Sequence, residues 1–144
     1  MASPPPKKFG LVLEAGAVFY FKEEGWNTPK PHYFVVLNKN PNLVENIILV
    51  PATTLDIWSA TSVEKFPEAT IVALGPKDCS FLTVESLFNC NFPLSKLKKV
   101  LESKYVGGKL ALSGKVTPEI LDKLRNGVLS SKIVPVNIQK KLVE

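Results

Sequence analysis

Residues 30–54 read KPHYFVVLNKNPNLVENIILVPATT. Two runs of aromatic, β-branched and aliphatic residues, His32 to Asn38 and Asn46 to Pro51, flank the turn-forming NKNPN. On a strand, Tyr33, Val35 and Leu37 point one way and His32, Phe34 and Val36 the other. Both sets are apolar at their centre, so both faces of the strand are expected to be covered. Paired antiparallel, the two strands bring their outer ends together. One end carries Lys30 and the only histidine, His32; the other carries the hydroxyls of Thr53 and Thr54.

Before this stretch, residues 1–8 (MASPPPKK) read as a disordered leader, because consecutive prolines cannot join a ladder. Residues 9–144 are expected to form one domain. Phe9 to Leu13 suggests a short edge strand, Glu14-Ala15-Gly16 a turn, and Ala17 to Phe21 an aromatic-rich core strand. The polar loop KEEGWNTP at 22–29 contains Trp26.

After it, residues 55–69 form a long connection, with a helical turn expected near Asp56. Strands are expected at Thr70 to Leu74, stopped by Gly75-Pro76, at Ser80 to Val84 and at Ser86 to Phe92. A helix over Ser95 to Lys104 would align Leu97, Val100 and Leu101. YVGGKLALSG suits a short strand or an extended link. Thr117-Pro118-Glu119 carries helix-start chemistry, followed by the apolar stripe Ile120, Leu121, Leu124 and Val128, with Gly127 as a stop. Pro135 suits the first position of a last short helix. Strands first and helices last predict a mainly β chain with α additions (α+β), a small, strongly bent antiparallel barrel with C-terminal helices.

The 144 residues and 45% apolar content suffice for one real core. No apolar run approaches the roughly 18 residues of a membrane span. No apolar h-region follows the basic leader, so no secretory signal is expected. Cys79 and Cys90 form no disulfide framework or metal-ligand pattern and read as small apolar filler, which suits a reduced, cytoplasmic setting. The net charge of +5 comes from seventeen lysines and one arginine, Arg125. It fits a polyanion partner such as RNA, but a single arginine argues against base-edge readout by guanidinium forks.

The chain has no P-loop, dinucleotide fingerprint, HExxH, Cys/His cluster or nucleophile elbow. No metal or cofactor is expected. His32 is a candidate acid or base, or else a strand-end histidine bonded to backbone. Lys30 is a candidate phosphate cation, or else a solvated loop lysine. Thr53 and Thr54 are candidates to hold phosphate oxygens, or else caps of the following turn. Glu23 and Glu24 offer a base or a solvated acidic pair. Trp26 and Trp58 offer stacking faces for bases or loop anchors.

These residues together resemble the MazF/PemK-like toxin family of small SH3-like barrels that cleave RNA. The similar features are Gly16-Ala17-Val18-Phe19-Tyr20, then Lys30-Pro31-His32-Tyr33-Phe34-Val35-Val36-Leu37, then Val50-Pro51-Ala52-Thr53-Thr54. Ser86 to Cys90 with Leu94 to Lys104 resembles the family's later strand and helix, and Val106 to Val128 its glycine-containing link and last helix. The family's acidic residue after the first glycine is Ala17 here, and its arginine before the proline is Lys30. The resemblance implies a metal-independent endoribonuclease cleaving single-stranded RNA by 2′-hydroxyl attack on the adjacent phosphate. It places phosphate binding and activation on Lys30 and on Thr53 or Thr54; the residues themselves add His32 as acid or base and Glu24, Trp26 and Trp58 as RNA contacts. It also implies a homodimer and an antitoxin partner. The readings left beside it are a non-catalytic module binding RNA or protein, and a hydrolase with Cys79 or Cys90 as nucleophile.

Overall fold

The computed structural model describes residues 7–26, 30–54 and 65–143. The expected leader is therefore outside them except for Lys7 and Lys8, as are the expected helical turn near Asp56 and Trp58. Seven strands form one antiparallel sheet: β1 Ala17–Phe21, β2 His32–Val36, β3 Asn46–Thr54, β4 Ile71–Leu74, β5 Ser86–Asn89, β6 Leu94–Leu97 and β7 Leu110–Lys115. The helices are α1 Phe9–Val12, α2 Lys98–Val106, α3 Pro118–Ser130 and α4 Val136–Leu142. The architecture is α+β, as the order of patterns predicts.

The strand order is β4-β5-β3-β2-β1-β7, with β6 beside the first half of β3. Thus β4 and β7 are opposite edges, and the sheet is not closed into the expected barrel. At the β4 edge, α3 packs against the strand and the 3-10 turn Glu68–Thr70 before it. Helix packing, not strand pairing, covers that side.

The opening stretch is the centre of this sheet. β2 lies between β1 and β3, with Val18 opposite Val35 and Val35 opposite Val50. Its two faces feed two separate cores. Val35 and Leu37 join Val18, Ile48, Val50, Phe88, Leu124 and Val128 on the side of α3. Phe34 and Val36 join Phe19, Phe21, Ile47, Leu49 and Leu101 on the side of α2. That division explains why neither face of the strand is polar at its centre. The turn is closed by Asn38, whose Oδ1 accepts from Ile48 N at 2.7 Å and whose Nδ2 donates to Asn46 O at 3.2 Å.

β3 is longer than the apolar run suggests. It pairs with β6 over Asn46–Leu49 and with β5 over Ala52–Thr54. Pro51 sits where the partner changes, a place where its missing N–H is tolerated. Thr53 and Thr54 are consequently ladder residues, and the turn that the alternative reading has them cap lies outside the described residues.

Four other expectations change. Phe9 to Leu13 is a single helical turn, because Phe9 and Val12 are both buried and a strand would aim them at opposite faces. Asn42 Nδ2 holds that turn by donating to the Gly10 and Leu13 carbonyls. Ser80 to Val84 is not a strand. Local bonds win there: Gly75 N donates to Asp78 Oδ2, and Leu82 N to Cys79 O. Leu94–Leu97 is strand β6, so α2 starts at Lys98, and of the expected stripe only Leu101 is buried. Gly127 does not stop α3, which runs on to Ser130. A Cβ at Gly127 would lie 2.7 Å from Cys90 Sγ, so the glycine is there for close approach. The start of α3 is as read: Thr117 Oγ1 accepts from Ile120 N, with Pro118 at the first position.

Candidate functional site

The antiparallel pairing of β2 with β3 does bring the two chemistry-bearing ends together. Lys30, His32 and Thr54 line one cleft of about 210 Å³, walled by Tyr20, Pro31 and Tyr33. Pro31 keeps Lys30 extended at the strand entrance. Thr54 pairs across the ladder with Ser86, which also faces the cleft, so two hydroxyls sit side by side. Ser86 Oγ donates to Val84 O at 3.2 Å. Thr53 does not line the cleft; its Oγ1 donates to Leu87 O at 3.2 Å.

His32 is half-buried. Its ring meets Trp26 edge-on, with centroids 5.0 Å apart at 81°. Trp26 also lies 5.6 Å from Phe34. The loop tryptophan thus anchors on the sheet and shields the imidazole. Burial holds the His32 pKa below its ordinary value, against a smaller opposite pull from the Lys30 backbone. His32 Nδ1 is buried with no hydrogen-bond partner among the described residues. The lowered pKa favours the neutral imidazole, the form that can accept a proton.

Glu23 and Glu24 separate in role. Glu23 is buried and accepts from Lys96 Nζ at 3.0 Å, so it is neither a base for the cleft nor solvated. Glu24 is exposed and accepts from Lys104 Nζ at 3.2 Å, which lowers its pKa.

Both cysteines are free and buried. Burial pushes the Cys90 thiol up to about 12 and raises that of Cys79 as well, with Asp78 adding to the latter. Neither thiol is set up as a thiolate nucleophile. Among the described residues, no three His, Cys, Asp or Glu side chains cluster as metal ligands. No helix among them is long and apolar enough to cross a membrane.

The fold is similar to that of a solved endoribonuclease. The structure, an endoribonuclease in complex with its cognate antitoxin from mycobacterial species, aligns with a TM-score of 0.54 at 18% identity. The alignment covers 85% of this chain and 97% of the other. No family model matches the chain, and no curated protein matches it in sequence. At this identity the likeness is one of fold.

The sequence reading missed Tyr20, Tyr33 and Ser86 as cleft walls. Each carries a signal only in retrospect: Tyr20 and Tyr33 are register partners whose rings lie 4.6 Å apart.

Proposed function

We propose that this protein is a toxin-like endoribonuclease of the MazF/PemK-like type, cleaving single-stranded RNA without a metal ion. The observation that carries the reading is the convergence of Lys30, His32 and Thr54 in one cleft. The fold it shares with a nuclease solved beside its antitoxin supports it.

In this reading neutral His32 takes the proton of a ribose 2′-hydroxyl. The 2′-oxygen bonds to the adjacent phosphorus and the bond to the 5′-oxygen breaks. The imidazolium returns the proton to that leaving oxygen, leaving a 2′,3′-cyclic phosphate and a 5′-hydroxyl. The Lys30 ammonium offsets the charge that grows on the phosphoryl oxygens, and the Thr54 hydroxyl donates to one of them. Lysine supplies this charge as a point, without the planar fork of an arginine. Thr53, held by the Leu87 carbonyl, supports the strand beneath. The cleft is small and set in a cytoplasmic-type reduced protein, and an antitoxin segment laid over it would block it. A homodimer is part of the same proposal.

The test is cleavage of mixed-sequence single-stranded RNA in EDTA. Cutting with cyclic-phosphate ends, reduced about a hundredfold or more in His32→Ala, supports the reading. Full activity in His32→Ala removes the acid–base role. Binding of RNA with no cutting by the unaltered protein would make the chain a binding module instead.

A further inference from the structure

Beside the His32 cleft lies a larger hollow of about 550 Å³. The two share Tyr20 and Pro31 in their walls, so they abut. The hollow has an aromatic and aliphatic floor, with Tyr20 partly exposed. Its rim carries three lysines from three parts of the chain: Lys22 after β1, Lys104 on α2 and Lys109 before β7.

All three cations act on a single carboxylate, Glu24. Lys104 donates to it directly at 3.2 Å. Glu24 is otherwise exposed on a turn, so this ion pair is weak and exchangeable. Three positive charges against one negative, over an apolar floor, match a nucleic-acid strand. Bases can lie on the aromatic surface while phosphates take the lysines.

We propose that this hollow is a second RNA subsite, holding the phosphodiester backbone beyond the nucleotides at His32. Glu24 occupies Lys104 as an internal stand-in for a phosphate, which the bound strand displaces. The inference rests on the nuclease reading for the placement of the scissile bond, and on the charge and shape of the hollow for the rest.

The test uses uncleavable 2′-O-methyl oligonucleotides, so binding is read apart from cutting. Fluorescence anisotropy compares a three-nucleotide with a seven-nucleotide strand across a salt series. The unaltered protein should bind the longer strand more tightly and with a steeper salt dependence. Lys22→Ala/Lys109→Ala, both exposed positions, should lower the slope of log K against log salt by about 1.4 and remove most of the length gain. Glu24→Gln should tighten the longer strand about threefold. A double variant that melts normally but keeps slope and length gain would overturn the subsite, while the EDTA cleavage assay would still stand or fall on its own. Equal binding of a hexaglutamate peptide would overturn it in favour of an acidic peptide as the occupant.

Discussion

The rings of Trp26 and His32 meet edge-on, 5.0 Å between centroids, and His32 lines the cleft that also holds Lys30 and Thr54. A loop side chain therefore sets the environment of the only histidine. Removing it should admit water to the imidazole and move its pKa back towards the ordinary value of about 6.5. Trp26→Ala should show this as an upward shift of the His32 ring resonances in an NMR pH titration, which a single histidine makes unambiguous. It should also cost about 2 kcal/mol of stability from lost aromatic burial. An unmoved titration would mean that Trp26 does not shield the ring.

Stability should depend on pH through the same residue. The folded-state pKa of His32 is lowered, chiefly by burial, so below about pH 6.5 the unfolded chain binds a proton that the folded chain resists. Folding is therefore weakened as pH falls through the unfolded value, and regained as pH rises back to it. His32→Gln should melt with a smaller difference between about pH 5 and about pH 7.5 than the unaltered protein. An equal difference in both would count against the depressed pKa.

The two threonines should separate in a kinetic comparison. Thr54 faces the cleft, whereas the Thr53 hydroxyl is directed to Leu87 O. Thr54→Val should lower kcat for RNA cleavage by about tenfold or more, the worth of a hydrogen bond to a charged group. Thr53→Val should change it less and destabilise the β3–β5 pairing more. The reverse order would move the phosphate contact to Thr53.

Arg125 carries a structural role that charge counting hides. Its buried guanidinium donates to the Leu37 carbonyl at 2.6 Å and also to the Leu142 carbonyl at the end of α4. It ties the residue just after β2 to the last helix. Arg125→Met should cost about 1–3 kcal/mol for the carbonyls left unpaired. Urea unfolding gives the loss, and amide exchange should show α4 loosened first. Unchanged protection in α4 would refute the tie.

Gly127 tests the packing of α3 on the sheet. Alanine is normally the better helix residue by about 1 kcal/mol. Here its Cβ would meet Cys90 Sγ at 2.7 Å and the Ala69 carbonyl at 3.1 Å. Overpacking should win, so Gly127→Ala should destabilise by about 1–2 kcal/mol. Cys90→Ala in the same chain should recover part of it, as a double-mutant cycle would report. A stabilised single variant would show that the helix can shift.

Much of the frame was legible in the chain itself. The alternation of Tyr33 to Leu37 and of Ile47 to Val50, apolar on both sides, determined two central strands with a core on each face. Thr117-Pro118-Glu119 determined where α3 begins. Antiparallel pairing then followed from the short turn, and with it the meeting of Lys30, His32 and Thr54. These are local signals: periodicity, turn chemistry and capping act within a few residues.

Only the tertiary structure decided the rest. Residues 94–97 became a strand because β3 offered a free edge some fifty residues away, although the pattern from Ser95 onward reads as helix. Glu23 left the candidate site because Lys96 lies 73 residues further on and pairs with it. The barrel stayed open because α3 packs at the β4 edge. Trp26 came to rest against His32 because Phe34 gave it an apolar seat. For β6, Glu23 and β4 the deciding partner is distant in sequence, and the contact exists only once the chain has folded to bring it near. Local patterning sets which residues are buried; long-range closure sets against whom, and that choice made the end of one hairpin a cleft.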